Sequence, residues 1–239
     1  MKQTFLLIIM WGLLLSCAGL PKMYPAGPAD LPDTIKACEG VYPVGDWQLL
    51  HTIEAALPGS RKGFLMGLTV LSSRDRSARC VIMTLEGFVL FDARYDGRIK
   101  IERAVAPFDS DDFARGLMED IHLIFFRPPA AQTIAGSLND GTAVCRYHRP
   151  DGRIVDLVNP EENRWELRLY RSDHRLMKSV NIMSKDRLPA DASTGIADKI
   201  ELTAHGSPGY KLVMDLVEAR PIGVEGSKSK SGSVSESKQ

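Results

Sequence analysis

Apolar and polar residues alternate over short runs along most of this chain, and the alternation gives way once to helical spacing. From Trp47 the period is two: Trp47, Leu49, Ile53, Ala55 and Leu57 fall on one side and Gln48, Thr52 and Glu54 on the other. That pattern predicts a half-buried strand, turned at Pro58-Gly59. Residues 63–72, 79–85 and 88–95 carry apolar side chains at odd and even positions alike, so both faces of this part of the sheet are expected to be covered. Asp96-Gly97 predicts a tight hairpin into residues 98–104, where Ile99 and Ile101 alternate with Arg98, Lys100 and Glu102. Strand patterns resume over 142–148 and continue over 153–159, 165–170, 176–183, 199–205 and 211–219, with Asp151-Gly152 and Ser172-Asp173 as turns and a longer loop over 184–195. The total is about eleven strands. Short turns join successive strands, which makes the sheet mainly antiparallel, and so many strands predict a sheet that curls.

The interruption is the stretch 107–137. Asp109 or Ser110 caps a helix here by accepting free amide hydrogens of the first turn, and Asp111 and Asp112 add negative charge at the positive end of the dipole. Phe113, Leu117, Ile121 and Phe125 then recur every fourth residue on one face. Arg127 precedes Pro128 and Pro129 and stops the helix, because a residue before proline avoids helical backbone. A greasy helical insert, assigned to 109–137, is expected to lie as a lid over the curved sheet.

Both ends of the chain read differently from its middle. Lys2 followed by an apolar run from Phe5 to Leu15 predicts a signal peptide over residues 1–16, too short to remain as a membrane span. Leu14-Leu15-Ser16-Cys17 resembles the bacterial lipobox, which implies acylation of Cys17 and attachment to a membrane through buried acyl chains. An ordinary secretory signal with an incidental cysteine is the alternative. Ala18, in place of an aspartate, favours the periplasmic face of the outer membrane, with the inner membrane left open. Residues 17–34 are rich in Pro, Gly and Ala and read as a lipidated tether, and 226–239, with serine at every second place from 227 to 237, read as a disordered Ser/Lys tail. The part between, 35–225, is long enough for a single domain with a sizeable core.

Thirty basic and thirty acidic side chains balance, so no basic field is present to recruit nucleic acid, and a monomer is expected. Catalytic chemistry finds little support. The five histidines never pair at helical zinc spacing, and His205-Gly206-Ser207-Pro208-Gly209 lacks the glycine two places before serine that a nucleophile elbow needs. Glu119 and Asp120 are neighbours on a helix and point about 100° apart, so they are expected to solvate one edge, and Asp92 and Asp156 are expected to face outward. No enzyme activity, metal or cofactor is expected. After Cys17 three cysteines remain, Cys38, Cys80 and Cys145, with three ways to form one bridge in an oxidising compartment. Cys80 and Cys145 sit among Val and Ile and read as small apolar residues, so no disulfide is expected.

The alternation of strands with one helical lid resembles the lipoprotein-sorting proteins LolA and LolB, which implies an unclosed antiparallel half-barrel around an apolar cavity. Residues 80–99 (CVIMTLEGFVLFDARYDGRI) and 117–128 (LMEDIHLIFFRP) are also similar to an uncharacterised family of bacterial lipoproteins. That family carries a run of Leu, Asp, Gln, Leu, Trp and Pro here; Leu117, Asp120, Leu123 and Pro128 supply matching residues, while His122 stands for the glutamine and Phe126 for the tryptophan. The similarity spans about 60–185 and implies a place beside envelope-lipid or aryl-polyene synthesis. Cavity-lining candidates are Leu49, Ile53, Phe64, Met66, Leu68 and Phe91 of the first strands and Leu117, Ile121 and Phe125 of the lid, since a wall for an acyl chain needs apolar side chains and no charge. The same residues would equally fill a closed core. The expected function is binding or transfer of a lipid or a lipoprotein acyl chain in the envelope; the alternative is a scaffold that holds a protein partner.

Overall fold

The computed structural model describes residues 19–27, 35, 38, 40–57, 61–161, 163–184 and 195–223. The signal peptide, Cys17, part of the tether, the centre of the loop over 184–195 and the Ser/Lys tail lie outside the described residues.

Thirteen strands among the described residues form one antiparallel sheet: β1 (Met23–Pro25), β2 (Asp46–Leu57), β3 (Arg61–Ser72), β4 (Ser77–Met83), β5 (Val89–Tyr95), β6 (Ile99–Ala104), β7 (Gln132–Leu138), β8 (Ala143–His148), β9 (Ile154–Glu161), β10 (Arg164–Tyr170), β11 (Leu176–Met183), β12 (Lys199–Ala204) and β13 (Tyr210–Pro221). Their spatial order is β1-β7-β8-β9-β10-β11-β12-β13-β2-β3-β4-β5-β6. β13 pairs with β2 over a long ladder and joins the two β blocks, while β1 and β6 are free edges, so the sheet curls without closing.

The helix α1 (Asp111–Phe125) connects β6, at one edge, to β7, next to the other, and therefore crosses the concave side. Ser110 is the cap, its hydroxyl accepting from the Phe113 amide at 3.1 Å. Phe126, in extended conformation, ends the helix ahead of the proline pair. The helical insert is thus shorter than the sequence implied. After Pro128-Pro129, residues 132–138 are the strand β7, whose short alternation was hidden by its Gly and Ser content.

One continuous core lies between α1 and the concave face. Inward rows such as Ala135, Cys145, Leu157, Leu167, Val180 and Leu202 cross the second block at successive register positions. Cys38, Val41 and Tyr42 also fill this interior, and Cys38 is bonded to Cys145 at a sequence separation of 107. The expectation of no disulfide is overturned. Cys145 does sit among apolar neighbours, but the partner that reaches it comes from a distant segment that local pattern cannot place.

The tether is corrected in part. Met23–Pro25 forms edge strand β1, and a Cβ at Gly136 of β7 would collide with the Tyr24 carbonyl, so only glycine permits this approach. Residues around β1 cover the outer side of β8 and β9, where Met23 packs on Leu138, Val144 and Val158. Under the same cover Asp156, expected outside, is fully buried; both its oxygens accept from Arg146 at 2.7 Å, and Arg146 donates to the Pro21 carbonyl. Conversely, the outer face of the first block is open at its β4–β5 end, where Phe64 of β3 and the turn residues Leu85 and Phe88 are more than half exposed, while Met66, Leu68 and Val81 are half-buried.

Candidate ligand-binding site

Helix α1 decides where space is left. Ala114, Met118, Ile121, Ile124 and Phe125 are buried against the sheet, and Phe113 packs edge-on to Phe91 at 5.1 Å. Asp120 is buried as well, contrary to the expectation of a solvated edge. Lys178, Ala204 and Tyr210 form one cross-strand row on β11, β12 and β13, and the small Ala204 between two long side chains leaves room for the Asp120 carboxylate. Lys178 Nζ and the Tyr210 hydroxyl each donate to it at 2.5 Å. Burial raises the Asp120 pKa, opposed by Lys178 and Tyr210, and burial followed by the negative charge of Asp120 pushes the Tyr210 phenol well up. The helix is therefore pinned by a polar clamp in mid-length as well as by its apolar face.

Beside the clamp a cavity of about 480 Å³ opens between α1 and the turns of both β blocks, within the usual size range of small-molecule sites. Its apolar side is built from Tyr95, Ile99, Met118, Leu123 and Leu169. Its polar side carries five cations, Arg76, Arg115, Arg149, Arg153 and Lys178, against three carboxylates, Asp75, Asp96 and Glu119. The β8–β9 hairpin turns at Asp151-Gly152, with Gly152 at φ 78°, and this turn sets Arg149 and Arg153 opposite each other. Arg76 reaches from the β3–β4 turn to donate to the Arg127 carbonyl at 2.9 Å, so it ties the first block to the segment after the lid.

His122 stands on the cavity wall, edge-on to Tyr95 at 4.5 Å and stacked on Phe126 at 5.0 Å. Its Nδ1 lies 2.7 Å from the Met118 carbonyl oxygen. A carbonyl can only accept, so this contact places a hydrogen on Nδ1. Nε2 is buried without a hydrogen-bond partner among the described residues.

The nine apolar candidates do not converge. Leu49, Ile53 and Phe91 face the concave side, and Leu49 and Phe91 are fully buried core residues. Ile121 and Phe125 are buried under the lid, and Leu117 is half-buried beside them. Phe64, Met66 and Leu68 instead occupy outward rows with Glu54, Thr52 and Leu50, so their assignment to an interior wall is corrected. β3 is apolar at both parities, and Leu65, Gly67, Thr69 and Leu71 are the residues that point in. None of the nine lines the cavity; its helix residues are Arg115, Met118, Glu119, His122 and Leu123, one or two positions off the predicted stripe. The signals that could have located it were Arg149 and Arg153 flanking a predicted Asp-Gly turn and the histidine on an apolar helix.

Among the described residues no cluster of His, Cys, Asp and Glu could hold a metal ion, and no helix is long and apolar enough to cross a membrane.

An unclosed antiparallel sheet of this size, with a helix laid across its concave side, is a LolA-like fold. A LolA-superfamily protein from Nitrosomonas europaea superposes with a TM-score of 0.50 at 13% identity, over 80% of this chain and 92% of that one. An outer-membrane lipoprotein-sorting protein domain from Vibrio parahaemolyticus reaches a TM-score of 0.46 at 13% identity, over 79% and 90% of the two chains. No protein-family model and no curated protein matches the sequence.

Proposed function

We propose that this chain is a non-catalytic carrier of the bacterial envelope, acylated at Cys17 and held at the periplasmic face of the outer membrane, that shields the acyl part of a lipid or lipoprotein. The observation that carries the reading is the 480 Å³ cavity on the flank of the lid, apolar on one side and open to solvent, in a LolA-like half-barrel. An acyl chain lying against Met118, Leu123, Leu169 and Ile99 removes apolar surface from water on both partners, at roughly 25 cal/mol per Å².

The test is native mass spectrometry of the full chain purified from bacterial envelopes, followed by titration with a monoacyl lipid. Retained or added lipid is expected on the wild type and should be lost when Ile99→Trp fills the cavity. Wild-type protein that takes up no lipid refutes the reading.

A second reading, a scaffold for a protein partner, is favoured by one feature. Phe64, Leu85 and Phe88 are exposed on the outer side of the first block, next to Met66 and Met83, which are paired in register. Clustered apolar surface of this kind marks an interaction site when it is extensive.

A further inference from the structure

The five cations on the cavity lining are not equally satisfied. Lys178 is neutralised by Asp120, and Arg115 is paired with Asp112 at 2.8 Å. Arg149 and Arg153 instead share one carboxylate oxygen: Asp151 Oδ2 lies 3.0 Å from Arg149 Nη2 and 2.8 Å from Arg153 Nη2. The next carboxylate, Glu119, lies 3.8 Å from Arg153. Arg149 Nε is buried with no acceptor among the described residues. Arg76 is held by a backbone carbonyl and the Phe126 ring, and no described carboxylate pairs with it. Burial and then the positive charge of Arg153 pull the Arg149 pKa below its usual value, which is what an unfilled demand for negative charge does.

We propose that this side of the cavity binds the phosphate of an anionic amphiphile, with Arg149 and Arg153 taking the headgroup while its chain follows Met118, Leu123 and Leu169. Guanidinium forks match phosphate oxygens two at a time, and a tetrahedral anion accepts donors arriving from different turns. Arg76 approaches from the opposite β block and adds a third positive group to the lining. The inference rests on the carrier reading and specifies it: the cargo is selected by its charge as well as by its chain.

The experiment offers the full chain an equimolar mixture of lysophosphatidylglycerol and a monoacylglycerol of equal chain length and reads both bound forms by native mass spectrometry, with inorganic phosphate as a separate competitor. The wild type is expected to favour the phospholipid at least tenfold. Arg149→Met with Arg153→Met should bring the ratio near one. Arg76→Met, which leaves the β8–β9 turn intact, should lower the ratio severalfold and guards against misfolding of the double variant. Equal binding of the two lipids by the wild type, or a preference that survives both sets of substitutions, overturns the inference and leaves the carrier reading standing. Binding of neither lipid overturns both. Inorganic phosphate that displaces the phospholipid at equal concentration assigns the site to free phosphate and also overturns the proposal.

Discussion

Replacing Asp120 with alanine tests the central packing argument, that α1 is held to the sheet by a buried charge as much as by its apolar face. The substitution leaves the Lys178 ammonium, whose side chain is 12% exposed, without its counter-charge, and the Tyr210 hydroxyl without its acceptor. Removing one partner of a buried ion pair costs about 3–5 kcal/mol, because the remaining charge is stranded away from water. Lys178 also lines the cavity, so water can reach its end and the lower figure, about 3 kcal/mol, is expected. For a domain of this size that corresponds to a fall of roughly 6–12 °C in Tm. The assay is urea unfolding followed by far- and near-ultraviolet circular dichroism. The double variant Asp120→Leu with Lys178→Met removes both charges and should recover most of the loss, since well-packed apolar groups replace a buried pair at little net cost. A loss under about 1 kcal/mol for Asp120→Ala, or a double variant as unstable as the sum of the two single changes, would refute the clamp.

Two further outcomes follow from buried groups. His51 is buried beneath Phe125, and burial lowers its pKa from 6.5 to about 4. Between those values the unfolded chain binds more protons than the folded one, so stability should fall as pH drops from about 6.5 to 4, by about 3 kcal/mol, and level off below. His51→Leu should flatten that slope in a pH series of unfolding curves, and an unchanged slope refutes the assignment. Cys38→Ala with Cys145→Ala removes a bridge between positions separated by 107 in the sequence. The pair should destabilise the oxidised protein by about 4–5 kcal/mol on chain-entropy grounds, with no effect of reductant on the variant. A Tm equal to that of the wild type under oxidising conditions would refute it.

Much of the architecture was legible locally. Alternating runs such as those of β2 and β6, unbroken apolar runs over β3 to β5 and turn residues such as Asp96-Gly97 and Asp151-Gly152 place β2 to β6 and β8 to β13, because a strand with one wet face alternates and one covered on both faces does not. The Ser110 cap and the Pro128-Pro129 stop place α1, because both act within one helical turn. What local pattern could not supply was facing and partnership. β3 is apolar at both parities, so its inward set is decided only by its register with β2 and β4. Asp120 and Asp156 looked like surface acids because the residues that bury them, Lys178 and Tyr210 for one and Arg146 with the cover around β1 for the other, arrive from other elements of the fold. β1 and β7 carry too few apolar residues to stand out; β7 is placed by its ladder with β8, and β1 is added because Gly136 lets its backbone lie close on β7.

The sequence by itself determined the antiparallel strands, the helical insert between two β blocks and the absence of a basic field, since these depend on neighbours within a few residues or on composition alone. Tertiary structure decided the disulfide, the clamp and the site. The cavity lies where the β3–β4 and β5–β6 turns of one block meet the β8–β9 turn and α1, and Arg76, His122 and Arg149 come from three separate segments. No one of those segments carries the signature of a site, because the space between them is made only when the sheet curls and the helix is pinned across it.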